Sequence, residues 1–232
     1  MEMCACRQCP TRRYCLGAEL EPEALEALST CVHVSSPLQR GSQLYRAGDA
    51  VTDCYVVRSG SFKTSVTSID GEEHVTGFHF PGDLPGLAGL ATGRHVDDAT
   101  ALETSTACRV PLETVPHLWQ LGSGSALLHM IGRGAAVGVE AHANLSRHAA
   151  DARVAGFLLG LRDRLSKQGR TADYLPLPMS RSDLANHLGM TLESLSRVLS
   201  RLRREGTLSV SRRSVTCRDY QRLTALAGHV AD

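Results

Sequence analysis

The sequence contains no apolar run of membrane length, because no window approaches the roughly 18 apolar residues that a bilayer span requires. The start of the chain, Met1 to Arg13, also lacks the apolar stretch of an export signal. The protein is therefore expected in the cytoplasm, with no membrane partner. An excess of charge of either sign is missing too: 25 Lys and Arg stand against 24 Asp and Glu, for a net charge of +1. Any nucleic-acid footprint must then be local. Enzyme motifs are equally scarce. No Ser/His/Asp set, phosphate loop or Gly-rich dinucleotide motif appears, and no CxxCH for haem attachment. His74 and His79 stand five apart and so do not make the H-x-H pair of a cupin-like metal oxygenase, and Glu72 and Glu73 precede rather than follow them. The chain is not expected to be an enzyme.

Cysteine, by contrast, is plentiful, and its placement is uneven. Cys6, Cys9 and Cys15 stand at C-x2-C-x5-C spacing near the N-terminus, and Cys108 follows far downstream. In a cytosolic chain, clustered cysteines bind metal or carry redox chemistry more often than they form structural disulfides. Four thiolates complete an iron-sulfur core. Zinc and redox-active thiols are the competing readings. Cys4 is either a spare thiol or a substitute ligand for Cys6, while the isolated Cys31, Cys54 and Cys217 read as small buried hydrophobes.

A length of 232 residues with 42% apolar and 21% charged side chains suits two small domains. Residues 1–18 form a cysteine-rich arm that would gain order mainly from its metal. Leu20, Leu25 and Leu28, with Pro22 near the start, predict a short helix over 19–28. The 19–120 region is expected to be an antiparallel β-roll, a cupin-like jelly roll, with Asp70-Gly71 as a hairpin tip and Gly41, Gly48, Gly60, Gly77 and Gly82 as punctuation. Between 121 and 150 a long helix is expected. Leu128, Ile131, Ala135, Gly138, His142 and Leu145 recur at three- and four-residue steps and make one seam for a homodimer. Gly132, Gly134 and Gly138 each cost about 1 kcal/mol of helix propensity relative to alanine, so the seam is soft and open to bias by a distant ligand.

The 151–232 segment carries the local basic footprint: Arg197, Arg201, Arg203, Arg204, Arg212 and Arg213. Placing Gly189 at the turn of a helix-turn-helix directs Leu184, Ala185, Leu188, Met190, Leu195 and Val198 inward. Ser180 and Asp183 predict a capping box on the first helix, and Thr191 caps the second. On that second helix Glu193, Ser196 and Arg197 share one face near the end that enters a major groove. Glu193 suits a cytosine amino group, and Arg197 a guanine edge or a phosphate. A solvated face with a Glu193–Arg197 ion pair is the plainer alternative. Arg212-Arg213 lies between two strand-like runs, as the tip of a basic wing touching phosphates. Double-stranded DNA is thus the expected partner. The fold class is α+β: a β-roll, a dimerisation helix and a winged helix-turn-helix.

Taken together, these motifs resemble the FNR-type oxygen-responsive regulators of the CRP/FNR superfamily, over essentially the whole chain. The resemblance implies a [4Fe-4S] cluster on Cys6, Cys9, Cys15 and Cys108, and base reading of a TTGAT-type palindrome by Glu193, Ser196 and Arg197. It implies a dimer held by the cluster, release of DNA when oxygen destroys it, and RNA polymerase as a partner. Nitric oxide is an alternative signal. A cyclic nucleotide is not expected. Gly82-Asp83 stands where the superfamily's binders use Gly-Glu, and Arg94 is followed by His95, Val96, Asp97 and Asp98 instead of Ser or Thr. Haem would need an axial ligand such as His74, His79 or Cys54.

Overall fold

The structure is a computed structural model, and it describes residues 2–3, 6–169 and 173–228. Cys4 lies outside the described residues, and so do the two roles open to it. In chain order the elements are β1 (Glu2–Met3), α1 (Pro22–Cys31), β2 (His33–Val34), β3 (Gln43–Tyr45), β4 (Asp53–Ser59), β5 (Phe62–Thr67), β6 (Glu73–His79), β7 (Asp98–Ala101) and β8 (Thr106–Pro111). These are followed by α2 (Val115–Leu118), α3 (Gly124–Leu145), α4 (Ala150–Lys167), β9 (Tyr174–Pro176), α5 (Arg181–His187), α6 (Leu192–Arg204), β10 (Leu208–Val210), β11 (Ser214–Cys217) and α7 (Tyr220–Leu226). The α+β arrangement is the expected one. Two compact units meet between Ala136 and Val137, inside α3.

In the first unit, antiparallel sheets of order β1-β2-β8-β4 and β3-β7-β5-β6 form the roll. Strand alternation gives the first sheet two distinct faces. Val57 and Ala107 pack with Phe62 and Ala101 of the second sheet as the roll's interior. Val56, Cys108 and Val110 point the other way, toward α1. Cys108 is flanked by Val34 on β2 and Val56 on β4. A second core therefore lies outside the roll, built from Leu16, Leu20, Leu25, Leu28, Val32, Leu118, Leu127 and Met130 among others.

Three details depart from the sequence reading. The arm is folded: 3-10 turns span Cys6–Gln8, Pro10–Tyr14 and Leu16–Ala18, and the buried Leu16 anchors them to the outer core. Pro22 at the first turn starts α1 later than expected, because its fixed φ suits that position and its missing N–H costs nothing there. Gly77 is no turn. It pairs with Thr64 inside β6, beside a bulge where the register shifts between Thr64 and Ser65. The hairpin tip at Asp70-Gly71 is where expected, with β5 and β6 paired on either side.

Helix α3 begins after a π-type turn, Trp119–Ser123, in which Gly122 has φ of +82°. All six residues of the expected seam, Leu128, Ile131, Ala135, Gly138, His142 and Leu145, are exposed, while Ala126, Leu127 and Met130 are buried on the opposite side. The second unit places α5 and α6 beside a three-stranded sheet of order β10-β11-β9. Strand β9 was not visible in the sequence.

Candidate cysteine pocket and nucleic-acid interface

The arm owes its shape to a run of short backbone bonds: Cys9 N to Cys6 O, Arg12 N to Cys9 O, Cys15 N to Arg12 O and Ala18 N to Cys15 O, between 2.9 and 3.4 Å. Each spans three residues, the step at which a 3-10 turn brings side chains back to one side. The C-x2-C-x5-C spacing matches that period. Cys9 and Cys15 sit at the junctions between turns, in extended conformation. Thr11, buried, donates to the Arg58 carbonyl of β4 at 2.9 Å and pins the arm to the sheet. Gly82 is required beside it. With φ of +94°, any Cβ there would come within 2.7 Å of the Tyr14 carbonyl.

Cys6, Cys9, Cys15 and Cys108 line one pocket, and all four are half-buried. Leu16, Leu28, Val32, Val56, Val57 and Val110 make its walls apolar, with Thr11, Gly17 and Arg58 completing them. Among the described residues no carboxylate or imidazole shares this lining, and its donors are thiols, which suits the soft chemistry of iron-sulfur centres or zinc. Among the described residues, no group of three or more His, Cys, Asp or Glu is gathered as ligands to a single metal ion. Cys31 and Cys54 pack against the same core without lining the pocket. Burial, with the nearby Asp53 carboxylate, pushes the Cys54 thiol above its ordinary range. Cys217 is buried far along the chain, on β11.

Tyr45 and His95 of the first unit are both buried. The His95 ring stacks on Tyr45 at 3.7 Å, and the Tyr45 hydroxyl donates to Asp97 at 3.1 Å. Burial pushes the Tyr45 hydroxyl and the Asp97 carboxyl up and the His95 imidazole down. Arg94 donates to the Gly48 carbonyl at 2.7 Å, and Asp83 accepts from the Phe80 N–H at 2.8 Å.

In the second unit the caps are those the sequence predicts. Ser180 accepts from Asp183 N at 2.9 Å, Asp183 accepts from Ser180 N at 3.2 Å, and Thr191 accepts from Ser194 N at 3.2 Å. Gly189 takes φ of +59° at the turn. Leu184, Ala185, Leu188, Leu195 and Val198 are buried; Met190 is only half-buried. Glu193, Ser196 and Arg197 are exposed on α6. Its own backbone N–H, then the Thr191 hydroxyl and Arg197, hold the Glu193 carboxyl below the usual range, so it is an ionised acceptor. Arg197 donates to Ser194 Oγ at 3.1 Å. β10 and β11 pair from Leu208–Cys217 to Val210–Val215, leaving Arg212 and Arg213 exposed at the tip.

Several supporting residues were not legible from spacing. Arg153 on α4 donates to the Gly189 carbonyl at 3.1 Å and so braces the helix-turn-helix turn. Arg181 donates to Ser211 O at 2.9 Å and ties α5 to the wing. Asp151 pairs with Arg201. Each bridge joins elements distant in sequence, and no local motif encodes it.

A roll with a cysteine-lined pocket, a long helix with an exposed apolar stripe and a capped, basic winged helix-turn-helix together define a DNA-binding regulator of transcription. Comparison with known proteins agrees. The Crp-like helix-turn-helix domain matches residues 152–226, and the cyclic nucleotide-binding domain matches residues 36–121. The chain is 35% identical over 229 residues to the transcriptional activator protein FnrA of Stutzerimonas stutzeri, covering 98% of this chain and 94% of the relative. It is 33% identical over 228 residues to the fumarate and nitrate reduction regulatory protein of Escherichia coli strain K12, covering 97% and 90%. The structure of FixK2 from Bradyrhizobium japonicum superimposes with a TM-score of 0.74 at 28% identity, over 87% of this chain and 98% of that one. The chain belongs to the FNR group of the CRP/FNR family of transcription regulators. Its relatives are regulators and not enzymes. No helix among the described residues is long and apolar enough to cross a membrane.

Proposed function

We propose that this chain is an iron-sulfur-dependent regulator of the cytoplasm in which Cys6, Cys9, Cys15 and Cys108 hold a [4Fe-4S] cluster. The observation that carries the reading is the convergence of the four thiols on one apolar pocket. Zinc also takes four thiolates and is the competing occupant of such a pocket. When bound, such a cluster supplies a covalent tie between the arm and β8 and a chemistry open to oxygen, with nitric oxide the alternative signal.

The chain's own residues then relay the state of the pocket. Leu127 and Met130 of α3 belong to the same core as the cysteines, while Leu128, Ile131 and Ala135 on the reverse face are exposed. An exposed apolar stripe on a helix is suited to a second copy of the same helix. Small residues in it bury little area, so the dimer is poised near balance and responds to a few kcal/mol at the inner face. A dimer presents two copies of α6 to a palindrome. Glu193, Ser196 and Arg197 read base edges of a TTGAT-type half-site, while Thr191, Arg212 and Arg213 hold the backbone. RNA polymerase is the further partner. A cyclic nucleotide is left out because Asp97 and Asp98 follow Arg94 where a phosphate would sit, and Arg94 itself donates to the Gly48 carbonyl.

The test is strictly anaerobic purification, with iron, sulfide and visible absorbance measured before and after air. About four iron and four sulfide per chain, with absorbance collapsing in air, is the expected result. Zinc or no metal would overturn the cluster and leave a regulator with a thiol-based or other signal.

A further inference from the structure

We propose that Glu19 is a positioning residue that transmits the state of the cysteine pocket to helix α3, a proposal that rests on the pocket being the sensory site. Glu19 closes the 3-10 turn Leu16–Ala18, four residues after Cys15. Its backbone is fixed from both sides, since Leu16 and Leu20 are 4% and 6% exposed in the outer core. The carboxylate leaves that anchored segment and reaches α3. Oε2 lies 3.0 Å from His129 Nδ1, and Oε1 lies 3.8 Å from the Arg133 guanidinium. His129 and Arg133 are one turn apart, hence one above the other on the same side of the helix. The His129 bond needs no charge, because a neutral imidazole with its proton on Nδ1 donates as well.

These contacts lie at one edge of the buried face of α3, and a second contact meets that face itself. Leu87, in the 3-10 turn Leu87–Ala91, occupies the space over Gly134, so that a Cβ added there would overlap Leu87 Cδ1. A helix turns about 100° per residue. Arg133 and Gly134 are consecutive, so Glu19 and Leu87 hold α3 from two directions and fix its rotation about its own axis, and that rotation decides where Leu128 and Ile131 point. Only Glu19 shares a segment with a pocket thiol. A shift of Cys15 on gaining or losing its ligand moves Glu19 and turns α3 against the Leu87 contact. An exposed ion pair contributes little by itself, but a dimer near balance converts a small bias into a visible change in population.

The test is a double-mutant cycle in the dimerisation constant of the full chain, read by sedimentation under anaerobic conditions: wild type, Glu19→Gln, Cys15→Ser and both together, with iron and sulfide measured on each. Glu19→Gln is expected to weaken dimerisation about two- to fivefold, the range of an exposed pair, without changing metal content. In the Cys15→Ser background it is expected to have no effect. The exchanged pair Glu19→Lys with Arg133→Glu should restore most of the loss. An equal effect of Glu19→Gln in both backgrounds, or none in either, would overturn the proposal. Absence of iron from the wild type would overturn the cluster instead, and the cycle would still decide whether Cys15 and Glu19 are coupled; Cys15→Ala serves if the serine variant fails to fold.

Discussion

Helices α3 and α6 both present an exposed face, yet they are built in opposite ways. α6 is complete within its own unit. Thr191 caps it, Leu195, Val198, Leu199 and Leu202 bury one side, and polar and basic residues cover the other. α3 is incomplete. It emerges from a π-type turn, carries glycine at 132, 134 and 138, buries a short patch at its N-terminal end and leaves Leu128, Ile131, Val139 and Leu145 exposed. α6 is held by its own packing, whereas α3 depends on its neighbours for its setting. Under the proposed function, the response lies where packing is poorest, as expected of elements that move in a switch.

The sharpest way to break this contrast is to disable the sensory side alone. Cys108→Ser on β8 is expected to abolish iron and sulfide binding and, with it, cluster-dependent operator binding, while circular dichroism and the unfolding transition of the C-terminal unit stay unchanged. A variant that kept both metal and operator binding would remove Cys108 from the site. The converse experiment is Leu202→Ala. That side chain is fully buried, so the cavity should cost about 2–5 kcal/mol in denaturant unfolding and abolish DNA binding with metal content intact. A loss under about 1 kcal/mol would mean that α6 is not carried by its own packing.

A smaller effect probes the reading face itself. Glu193→Ala should relax preference at one base pair of the half-site by about 1–3 kcal/mol, measured by competition among operator variants at fixed salt. Affinity for non-specific DNA should hold or rise, since an ionised carboxylate is removed from a surface that meets phosphates. An unchanged sequence preference would reassign Glu193 to the solvated surface.

The same contrast explains what the sequence discloses. The helix-turn-helix is legible because its determinants are local: Ser180 with Asp183, Gly189, Thr191 and the leucines around them lie within one short stretch and each has a single structural meaning. The wing and the Asp70-Gly71 hairpin are legible for the same reason. For the cysteine pocket, spacing discloses which thiols belong together but not how they meet, because Cys108 is brought in by its register between Val34 and Val56. Strand β9 has three residues, Tyr174–Pro176, and no alternation to read; only its pairing with β11 defines it. Glu19, Arg153 and Leu87 act across long sequence separations, and nothing in their neighbours announces it. Gly77 misleads because glycine is common both at turns and beside bulges.

The finest test separates two glycines that look equivalent in the sequence of α3. At Gly132 an added Cβ meets nothing within 4 Å, and the residue is exposed. Gly132→Ala should therefore gain up to about 1 kcal/mol of helix propensity and move the dimerisation equilibrium toward association even without metal. At Gly134 the same methyl runs into Leu87, so alanine must displace either that side chain or the helix. Gly134→Ala is expected to lose stability, or to gain less than its neighbour, and to lessen the response of dimerisation to the pocket. Thermal unfolding and sedimentation of the two variants side by side decide the matter. Equal gains would mean that the Leu87 contact constrains nothing and that α3 is soft for reasons of composition alone; opposite signs would make one of its glycines a seat for the roll and the other a plain weakness in the helix.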